Sequence, residues 1–489
     1  MPKNFIAIDL GAGSGRAITA KLDGGKLALD VTHRFANNPV RVNGHLHWDV
    51  LRLFEEILRG LALSAKQHGE IASVGVDTWG VDFGVLDKTD TLIGNPYHYR
   101  DHRTDGMMES VFAQVPAQDV YNATGNQFMF FNTLFQLAAM RRTPVLEQAR
   151  ALLMMPDLFH FWLCGQKSCE ATIASTTQCF NPRQNAWAAG MLNRLGIPAA
   201  ILQPIAAPAT RLGKLLAAHT GVMGLERAQV VAPAAHDTGS AVAAVPARSE
   251  RFVFISSGTW SLMGAVAKQP VITPQTFAFG FTNEGGVDGT TRLLKNITGM
   301  WLIQECRRVW ASAGEELSYD ALVSMAQAAP AFLAFIDPND ASFNAPDDMP
   351  AAIQAFCAAS GQAIPKSKGE ILRVAFESLA LKYREVLDEL QIVMGQPLDV
   401  IHIVGGGSQN RLLCQFTANA CNRPVLAGPV EATAIGNALA QAIAAGECAG
   451  WAEAREIVRA TFSPIEYAPR ETEKWDEAFE RFVKTRNKK

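Results

Sequence analysis

The feature that most constrains this chain lies near its N-terminus, where an apolar run ends on an acid and continues into three glycines at alternate positions. The segment reads FIAIDLGAGSGR over residues 5–16. The apolar run is typical of a buried strand. Glycine permits positive φ angles and close approach to the backbone, so successive N–H groups can face an anion. Asp9 at the strand end is placed for a metal ion and Arg16 adds a cation, so the segment predicts a phosphate-binding loop.

Three kinds of functional loop fit this pattern, and a plain glycine turn is the non-functional alternative. Dinucleotide-binding and S-adenosylmethionine methyltransferase loops open into a helix, whereas a phosphate-binding β-hairpin opens into a second strand. Residues 17–22 are too few for a crossover helix, residues 23–25 form a turn signal, and residues 26–32 alternate with period two. The sequence therefore favours the hairpin.

Length and composition indicate a two-domain globular protein. The chain has 489 residues, more than one ordinary core accommodates, with 48% hydrophobic residues and a formal net charge of −3. We expect no nucleic-acid partner because basic residues are not in excess, and no membrane span because no apolar run reaches about 18 residues. The eight cysteines lack CxxC spacing, and the N-terminus has no signal-peptide pattern. We therefore expect a cytoplasmic protein with reduced cysteines.

A second acid-bearing strand follows a predicted helix over residues 48–66. Residues 71–77 read as a buried strand, and TWGVDF (78–83) turns away from its end. Ligands of open α/β sheets bind at such strand ends. Trp79 offers a ring face for sugar carbons and Asp82 a carboxylate for hydroxyl groups. Core packing of Trp79 is the alternative.

A third acid follows the short apolar strand at residues 230–232. Here a predicted helix begins near Asp237, within the sequence AHDTGSA (235–241). An acid at this position can simply cap the helix. The neighbouring His236 and Thr238 add more polar groups than a cap requires. A carboxylate held here can accept a hydroxyl proton as a nucleophile forms, so we expect Asp237 to act as a general base.

The second half of the chain repeats the opening pattern. Residues 251–264 predict a strand, a Ser-Ser-Gly-Thr turn and another strand, which suggests a duplicated α/β domain. Residues 400–410 predict a strand, three glycines and a helix start, where a nucleotide base would fit and Ser408 and Asn410 could bond it.

Helices are predicted for much of the remaining sequence. They are expected to dominate residues 104–218, and the longest is expected to include residues 372–390. A helix of small residues around Gly436 is expected to pack beneath the strand at residues 425–427.

Taken together, these segments resemble the FGGY family of carbohydrate kinases in the actin/hexokinase/Hsp70 superfamily. Two of them, DTWGVDF (77–83) and KNITGMW (295–301), favour members that act on L-rhamnulose rather than on xylulose or glycerol. The chain departs from the family pattern at Ala235 and Gly239, where serine and alanine are expected, and this leaves no serine hydroxyl at residue 235. The matching segments are DLGAGSGR (9–16), DTWGVDF (77–83), AHDTGSA (235–241), SSGTWSLMG (256–264), NEGG (283–286), KNITGMWLIQ (295–304), HIVGGGSQN (402–410) and AGPVEA (427–432).

The resemblance implies an α/β fold with two RNase-H-like domains, residues 1–245 and 246–489, and a nucleotide cleft between them. The implied reaction is ATP-dependent phosphorylation of L-rhamnulose at its 1-hydroxyl, giving L-rhamnulose 1-phosphate in L-rhamnose catabolism. Another ketose or polyol, such as L-fuculose or L-xylulose, is the alternative substrate. A methyltransferase, or an ATPase that drives a shape change, is the alternative class.

The resemblance also implies roles for particular residues. Asp237 would be the general base, and Asp9 would hold Mg²⁺, through water. The ketose would contact Gly80, His236, Asp237, Thr238 and Asn296. ATP would contact Ala12, Gly13, Ser14, Gly15, Arg16, Thr259, Gln304 and Gly406.

Overall fold

The chain forms two compact units in a computed structural model that describes residues 2–141 and 143–486. Both units are discontinuous in sequence. The first comprises Met1–Pro246, Val266–Leu293 and Ala432–Phe462, and the second comprises Ala247–Ala265, Leu294–Glu431 and Ser463–Lys489. Within the described ranges, no helix is both long enough and apolar enough to cross a membrane.

Strands occur throughout the described chain. In chain order they are β1 (Lys3–Leu10), β2 (Ser14–Asp23), β3 (Lys26–Ala36), β4 (Val40–Val42), β5 (His45–His47), β6 (Ser73–Thr78), β7 (Phe83–Leu86), β8 (Ala151–Met154), β9 (Cys169–Glu170), β10 (Phe180–Asn181), β11 (Ala186–Trp187), β12 (Ile205–Ala206), β13 (Thr210–Lys214), β14 (Gln229–Ala232), β15 (Phe252–Ser257), β16 (Trp260–Ala267), β17 (Thr282–Gly285), β18 (Thr291–Thr298), β19 (Val400–Val404), β20 (Val425–Ala427) and β21 (Ile465–Tyr467).

Helices alternate with these strands. They are α1 (Val50–His68), α2 (Met107–Phe112), α3 (Ala117–Thr124), α4 (Thr133–Met140), α5 (Pro144–Gln148), α6 (Met155–Cys164), α7 (Ala171–Ala174), α8 (Ala189–Arg194), α9 (Asp237–Ala243), α10 (Pro274–Phe279), α11 (Trp301–Ser312), α12 (Tyr319–Ala328), α13 (Met349–Ala359), α14 (Lys368–Met394), α15 (Arg411–Cys421), α16 (Ala432–Ala445), α17 (Trp451–Thr461) and α18 (Thr472–Arg486).

The main sheet of the first unit has the strand order β13-β14-β6-β1-β2-β3. Strands β1, β2 and β3 form an antiparallel meander, and β1 pairs in parallel with β6 on its other side. Residues 5–10 of β1 are all buried, as expected for a central strand covered on both faces. The predicted hairpin is therefore confirmed, and the alternative, in which a helix directly follows the glycine loop, is excluded.

The second unit repeats this arrangement. Its strands lie in the order β18-β16-β15-β19-β20-β21. Strands β15 and β16 form an antiparallel hairpin, and β15 pairs in parallel with β19. In each unit, a hairpin strand thus pairs in parallel with the strand that follows a long helical segment. The predicted duplication is confirmed by this shared topology.

The longest predicted helices are confirmed, but one helical region is not. In α1 the side chain of Asp49 accepts a hydrogen bond from the Arg52 N–H, and α14 begins with a Ser367–Glu370 capping box. The mainly helical prediction for residues 104–218 is wrong in part, because strands β8 to β13 lie there. These strands have only two to five residues, too few for alternation to be visible in the sequence.

Helix α16 lies in the first unit, so its predicted packing beneath residues 425–427 is wrong. It packs closely along α9, where a Cβ added at Gly436 would lie 1.9 Å from the carbonyl oxygen of Ser240. Small residues predict that a helix approaches its neighbour closely. They do not identify that neighbour.

We expect Gly436→Ala to destabilise the first unit. The added methyl group meets backbone rather than a movable side chain, so α16 must shift, at a cost of about 1–3 kcal/mol or more. The matched control is Gly190→Ala in α8, where an added Cβ has no atom within 4 Å. Thermal unfolding of both variants checks this, and equal melting temperatures would contradict it.

Candidate active site

The loop between β1 and β2 is held from the end of β3. The N–H of Gly11 donates to the carbonyl of Ser14 at 2.9 Å. Asn37 binds the loop twice, with its N–H on the Gly13 carbonyl at 3.2 Å and its side-chain amide on the Gly11 carbonyl at 2.9 Å. Gly13 and Ser14 are exposed, and Ala12 is half-buried. The loop is therefore fixed in shape and open to solvent at its tip.

The glycines of this loop have different roles. A Cβ added at Gly15 would lie 2.3 Å from the ring of Phe35, whereas a Cβ at Gly13 would have no atom within 4 Å. Neither residue, nor Gly11, has a positive φ. The loop therefore does not use the positive φ angles that glycine permits. Gly15 is required by packing, and Gly13 leaves the backbone accessible.

Three acids from separate segments of the sequence lie at one edge of the first sheet. Asp9 is the register partner of Asp77 on β6, and Thr78 donates its N–H to the Ala235 carbonyl at 2.9 Å, next to Asp237. Burial raises the pKa of Asp77 well above its ordinary value, and the nearby Asp9 and Asp237 carboxylates raise it further. The sheet thus brings Asp9 and Asp237 into electrostatic contact with the same buried group.

Arg16 and Asn437 offset this concentration of negative charge. Arg16 forms an ion pair with Asp9 at 2.6 Å. The side-chain amide of Asn437, on α16, donates to Asp77 Oδ2 at 2.5 Å, and Gln441 holds Asn437 Oδ1 at 2.7 Å. Sequence reasoning gave Asp77 and Asn437 no role. The acid at the end of a second strand was a usable signal for Asp77, whereas nothing local pointed to Asn437.

Two of the acids at this edge, Asp9 and Asp77, are of the ligand type that a magnesium ion takes. Mg²⁺ prefers carboxylate oxygens and water as ligands. Asp77 Oδ1 is buried and has no hydrogen-bond partner among the described residues. Asp9 lies beside it with the Arg16 guanidinium on its Oδ2. The donor set and the unsatisfied oxygen are therefore compatible with a hard divalent cation.

Asp237 is the first residue of α9 and is accessible. Its Oδ1 accepts from the N–H of Thr238 at 2.5 Å and from the Thr238 hydroxyl at 3.1 Å, and the Nε2 atom of His236 lies 3.4 Å from the same oxygen. The described residues thus use only Oδ1. The side chain is 30% exposed, so Oδ2 can receive a ligand.

The two departures from the family pattern have structural consequences. Ala235 is buried, and its N–H donates to Glu170 at 3.0 Å, so its role here is that of a backbone donor. At Gly239 an added Cβ would lie 3.2 Å from the hydroxyl oxygen of Thr172. Glycine therefore leaves room for the Thr172 hydroxyl, which accepts the N–H of His236 at 3.1 Å.

Asp82 and Trp79 are structural residues, so the expectation that they bind a polyol is wrong. Asp82 is fully buried and accepts hydrogen bonds from the indoles of Trp48 and Trp79, the N–H of Tyr99 and the amide of Gln136, at 2.6–3.2 Å. Burial raises the pKa of Asp82 to about 6, against the effect of these donors. Trp79 is 5% exposed and packs on Trp48.

Gly80 lies in a strained turn next to this cluster. The N–H of Asp82 donates to the Gly80 carbonyl at 2.9 Å, which places Val81 at the centre of a three-residue turn with φ of +68°. This conformation is unfavourable for a β-branched residue. Hydrogen bonds with the hydroxyls of Thr176 and Thr133 hold Val81 in place. Such over-determined strain is common at functional sites.

We expect Asp82→Asn to destabilise the first unit while the exposed control Asp23→Asn does not. An amide replaces one acceptor oxygen by a donor that faces other donors, and leaving such a buried group unsatisfied costs about 1–3 kcal/mol. Chemical denaturation of both variants measures the difference. A stability equal to that of the wild type would show that the four donors do not need this carboxylate.

The remaining predicted residues lie in the second unit. The hydroxyl of Thr259 donates to the side-chain carbonyl of Gln304 at 3.2 Å, so these two are brought together. A Cβ added at Gly406 would have no atom within 4 Å, so this glycine is open. Asn296 is half-buried on β18, and its carbonyl accepts from the Asn339 amide at 3.4 Å.

The glycine segment after β19 differs from its sequence interpretation. The hydroxyl of Ser408 donates to the Gly405 carbonyl at 2.7 Å, and Asn410 caps α15 by accepting the Leu413 N–H at 3.0 Å. Both side chains are engaged within the protein, so their predicted bonds to a base are not supported. A Cβ added at Gly407 would lie 2.0 Å from the Ser257 hydroxyl, which makes this glycine a packing requirement.

The duplicated sheet, the open hairpin loop and the accessible carboxylate at the strand ends define a two-domain phosphotransferase of the sugar-kinase class. Residues 4–244 match the N-terminal domain of the FGGY family of carbohydrate kinases, and residues 253–445 match its C-terminal domain. The chain belongs to this family. It is a sugar kinase with ATP as its co-substrate, which excludes the methyltransferase and non-kinase ATPase alternatives.

Relatives and solved structures agree with this assignment. A rhamnulokinase of Bacteroides thetaiotaomicron is 44% identical over 484 residues, covering 99% of both chains, and one of Pectobacterium carotovorum is 43% identical over 96% of this chain and 93% of its own. The ligand-bound xylulose kinase of Lactobacillus acidophilus superposes with a TM-score of 0.82 at 18% identity, covering 99% of this chain and 98% of that one. The ADP-bound glycerol kinase of Plasmodium falciparum gives 0.79 at 15%, with the same coverage, which supports the fold alone.

Proposed function

We propose that this kinase transfers the γ-phosphoryl group of ATP to the 1-hydroxyl of L-rhamnulose, giving L-rhamnulose 1-phosphate in L-rhamnose catabolism. The observation that carries the proposal is the similarity to proteins named rhamnulokinases, which reaches 44% identity and extends over 99% of the chain. Other ketoses or polyols, such as L-fuculose and L-xylulose, are the alternative substrates. The structures of xylulose and glycerol kinases do not decide between these substrates, because at 15–18% identity they share only the fold.

Asp237 is the proposed general base. Its Oδ1 is occupied by Thr238, so Oδ2 is the atom that takes the proton from the sugar hydroxyl. As that O–H bond breaks, the sugar oxygen attacks the γ-phosphorus and the bond to the ADP oxygen breaks. Positioning and charge neutralisation supply most of the rate enhancement in such transfers.

The sugar is proposed to contact Gly80, His236, Asp237, Thr238 and Asn296. In the first unit, the turn at Val81 fixes the backbone of Gly80, and the hydrogen bond from the His236 N–H to Thr172 fixes the start of α9. His236 and Thr238 are nearly buried, which limits the surface that they offer to a small ligand. The contribution of Asn296, from the second unit, rests on its match to the family motif.

The ATP phosphates are proposed to bind at Ala12, Gly13, Ser14, Gly15 and Arg16, with Thr259, Gln304 and Gly406 completing the nucleotide site. Support comes from the open backbone at Gly13 and Gly406. Apart from the sugar contact of Asn296, we assign sugar and phosphate binding to residues 1–245 and binding of the rest of ATP to residues 246–489. Gly15 contributes through its packing on Phe35, which shapes the loop.

Asp9 is proposed to hold Mg²⁺ through water, beside Asp77. When bound, the ion would neutralise charge on the phosphate oxygens. Arg16 forms an ion pair with Asp9, so the same guanidinium can hold this carboxylate in position and contribute positive charge at the loop.

A cytoplasmic location with no nucleic-acid or membrane partner completes the proposal. The eight cysteines are all free and buried, as suits a reducing compartment. The formal net charge of −3 does not favour binding to a polyanion.

We expect Asp237→Asn to lower kcat at least about 100-fold while ATP still binds, because an amide cannot accept the hydroxyl proton. A coupled ADP-release assay measures turnover, and calorimetry measures ATP affinity. Asp23→Asn, at the exposed end of β2, is the control. Near-normal turnover in Asp237→Asn would refute the assignment of the base.

We further expect L-rhamnulose to have the highest kcat/KM among L-rhamnulose, L-xylulose, L-fuculose and glycerol. The same assay, run with each acceptor at several concentrations, gives the four values. Equal values would refute the specificity, and a higher value for another sugar would identify the substrate instead.

A further inference from the structure

His236 lies inside a cluster of titratable groups, and two of these groups, Glu284 and Arg292, have no part in the proposed reaction. The cluster consists of His236, Asp237, Glu284 and Arg292, in the first unit. Arg292 is 1% exposed and Glu284 is 5% exposed, so both are sequestered from water. Buried charges are costly unless they are paired, so their presence beside the proposed base requires a reason.

Two groups lie close to the Nδ1 atom of His236, and they require opposite protonation states of that nitrogen. The Arg292 guanidinium donates to Nδ1 at 3.2 Å, and Glu284 Oε2 lies 3.1 Å from the same nitrogen. A guanidinium can only donate, so its bond requires an unprotonated Nδ1. The carboxylate would instead require a proton there. One nitrogen cannot satisfy both groups.

The hydrogen-bond geometry favours Arg292. Its approach to Nδ1 forms a hydrogen bond, whereas Glu284 Oε2 has no hydrogen-bond partner among the described residues. Glu284 instead lies 3.1 Å from the Arg292 guanidinium and balances its charge.

We propose that Arg292 is a positioning residue that fixes His236 as the neutral tautomer with its proton on Nε2. This inference rests on the proposed function, because it concerns the proposed base. The groups that face the imidazole are Asp237 from its own helix, Glu284 from β17 and Arg292 from β18. An imidazolium would set a second donor against the guanidinium, 3.2 Å away.

This tautomer supports the orientation of Asp237 that Thr238 already favours. With its proton on Nε2, His236 directs a donor at Asp237 Oδ1 from 3.4 Å, where Thr238 already donates twice. The Nε2 proton then faces the oxygen that Thr238 already binds, and Oδ2 keeps its lone pairs for the sugar hydroxyl. The opposite tautomer would place an imidazole lone pair against the carboxylate and turn it away. Arg292 thus acts on Asp237 through His236 without touching the substrate.

Two-bond ¹H–¹⁵N correlation spectra of the full-length protein labelled with ¹⁵N-histidine test this inference. The signals of His236 are identified by their absence from His236→Gln. We expect the neutral Nε2–H pattern in the wild type. In Arg292→Met, Nδ1 faces Glu284 alone, so we expect the proton to move to Nδ1 or an imidazolium to form. Arg227→Met, at an exposed position, is the control and should leave the pattern unchanged.

Kinetics give a second readout. Misdirection of the base in Arg292→Met should lower kcat about 10- to 100-fold, with the KM for ATP unchanged. An Nδ1–H or imidazolium pattern for His236 in the wild type overturns the inference, and so does an unchanged pattern in Arg292→Met. If that variant does not fold, the wild-type spectrum alone decides. Failure to phosphorylate L-rhamnulose would refute the proposed function instead, because the tautomer is read without substrate.

Discussion

The parallel pairing of β1 with β6 is the constraint on which the first unit's site depends. Its register sets Asp9 beside Asp77, and Thr78, the last residue of β6, donates its N–H to the carbonyl of Ala235, two residues before Asp237. Parallel strands place their carboxyl ends at one edge of the sheet, so three acids that are distant in sequence lie at the same edge. A shift by one residue in this register would turn Asp77 to the opposite face of the sheet and separate the group.

Three carboxylates at one edge of a sheet repel one another, and neighbouring groups of the first unit offset this repulsion. Burial and the neighbouring Asp9 raise the pKa of Asp77, so a second charge there is costly. Arg16 pairs with Asp9, and Asn437 donates to Asp77 from a helix 360 residues later in the chain. Helix α16 therefore belongs with the first sheet for an electrostatic reason as well as for the close packing of Gly436 on α9. Residues 432–462 thus complete the first unit, and Asn437 among them donates a hydrogen bond to the buried Asp77.

Local features of this protein could be predicted from the sequence, and long-range ones could not. Both hairpins and the position of Asp237 at a helix start depend on short-range patterns of apolar residues, glycines and acids. The role of Asp82 depends on Trp48, Tyr99 and Gln136, which meet it only in the fold. A Trp-Gly-x-Asp segment is equally compatible with a sugar site and with a buried indole–carboxylate cluster. The number of hydrogen-bond donors around the carboxylate distinguishes these two possibilities, and this number cannot be read from the sequence.

The glycines show why a motif alone left the opening loop ambiguous. The sequence pattern gives all glycines of these loops the same interpretation. Gly15 and Gly407, however, are required because Phe35 and Ser257 occupy the space that a side chain at these positions would need. Gly13 and Gly406 have empty space beside them. Packing glycines shape the two loops, and open glycines leave backbone for a ligand. Substitution would therefore have different effects at the two kinds of position: a side chain at Gly15 or Gly407 must distort the loop itself, and one at Gly13 or Gly406 obstructs only what approaches it. Both kinds are simply glycine in the sequence, so the positions that face a ligand can be identified only from the neighbours of each glycine in the fold.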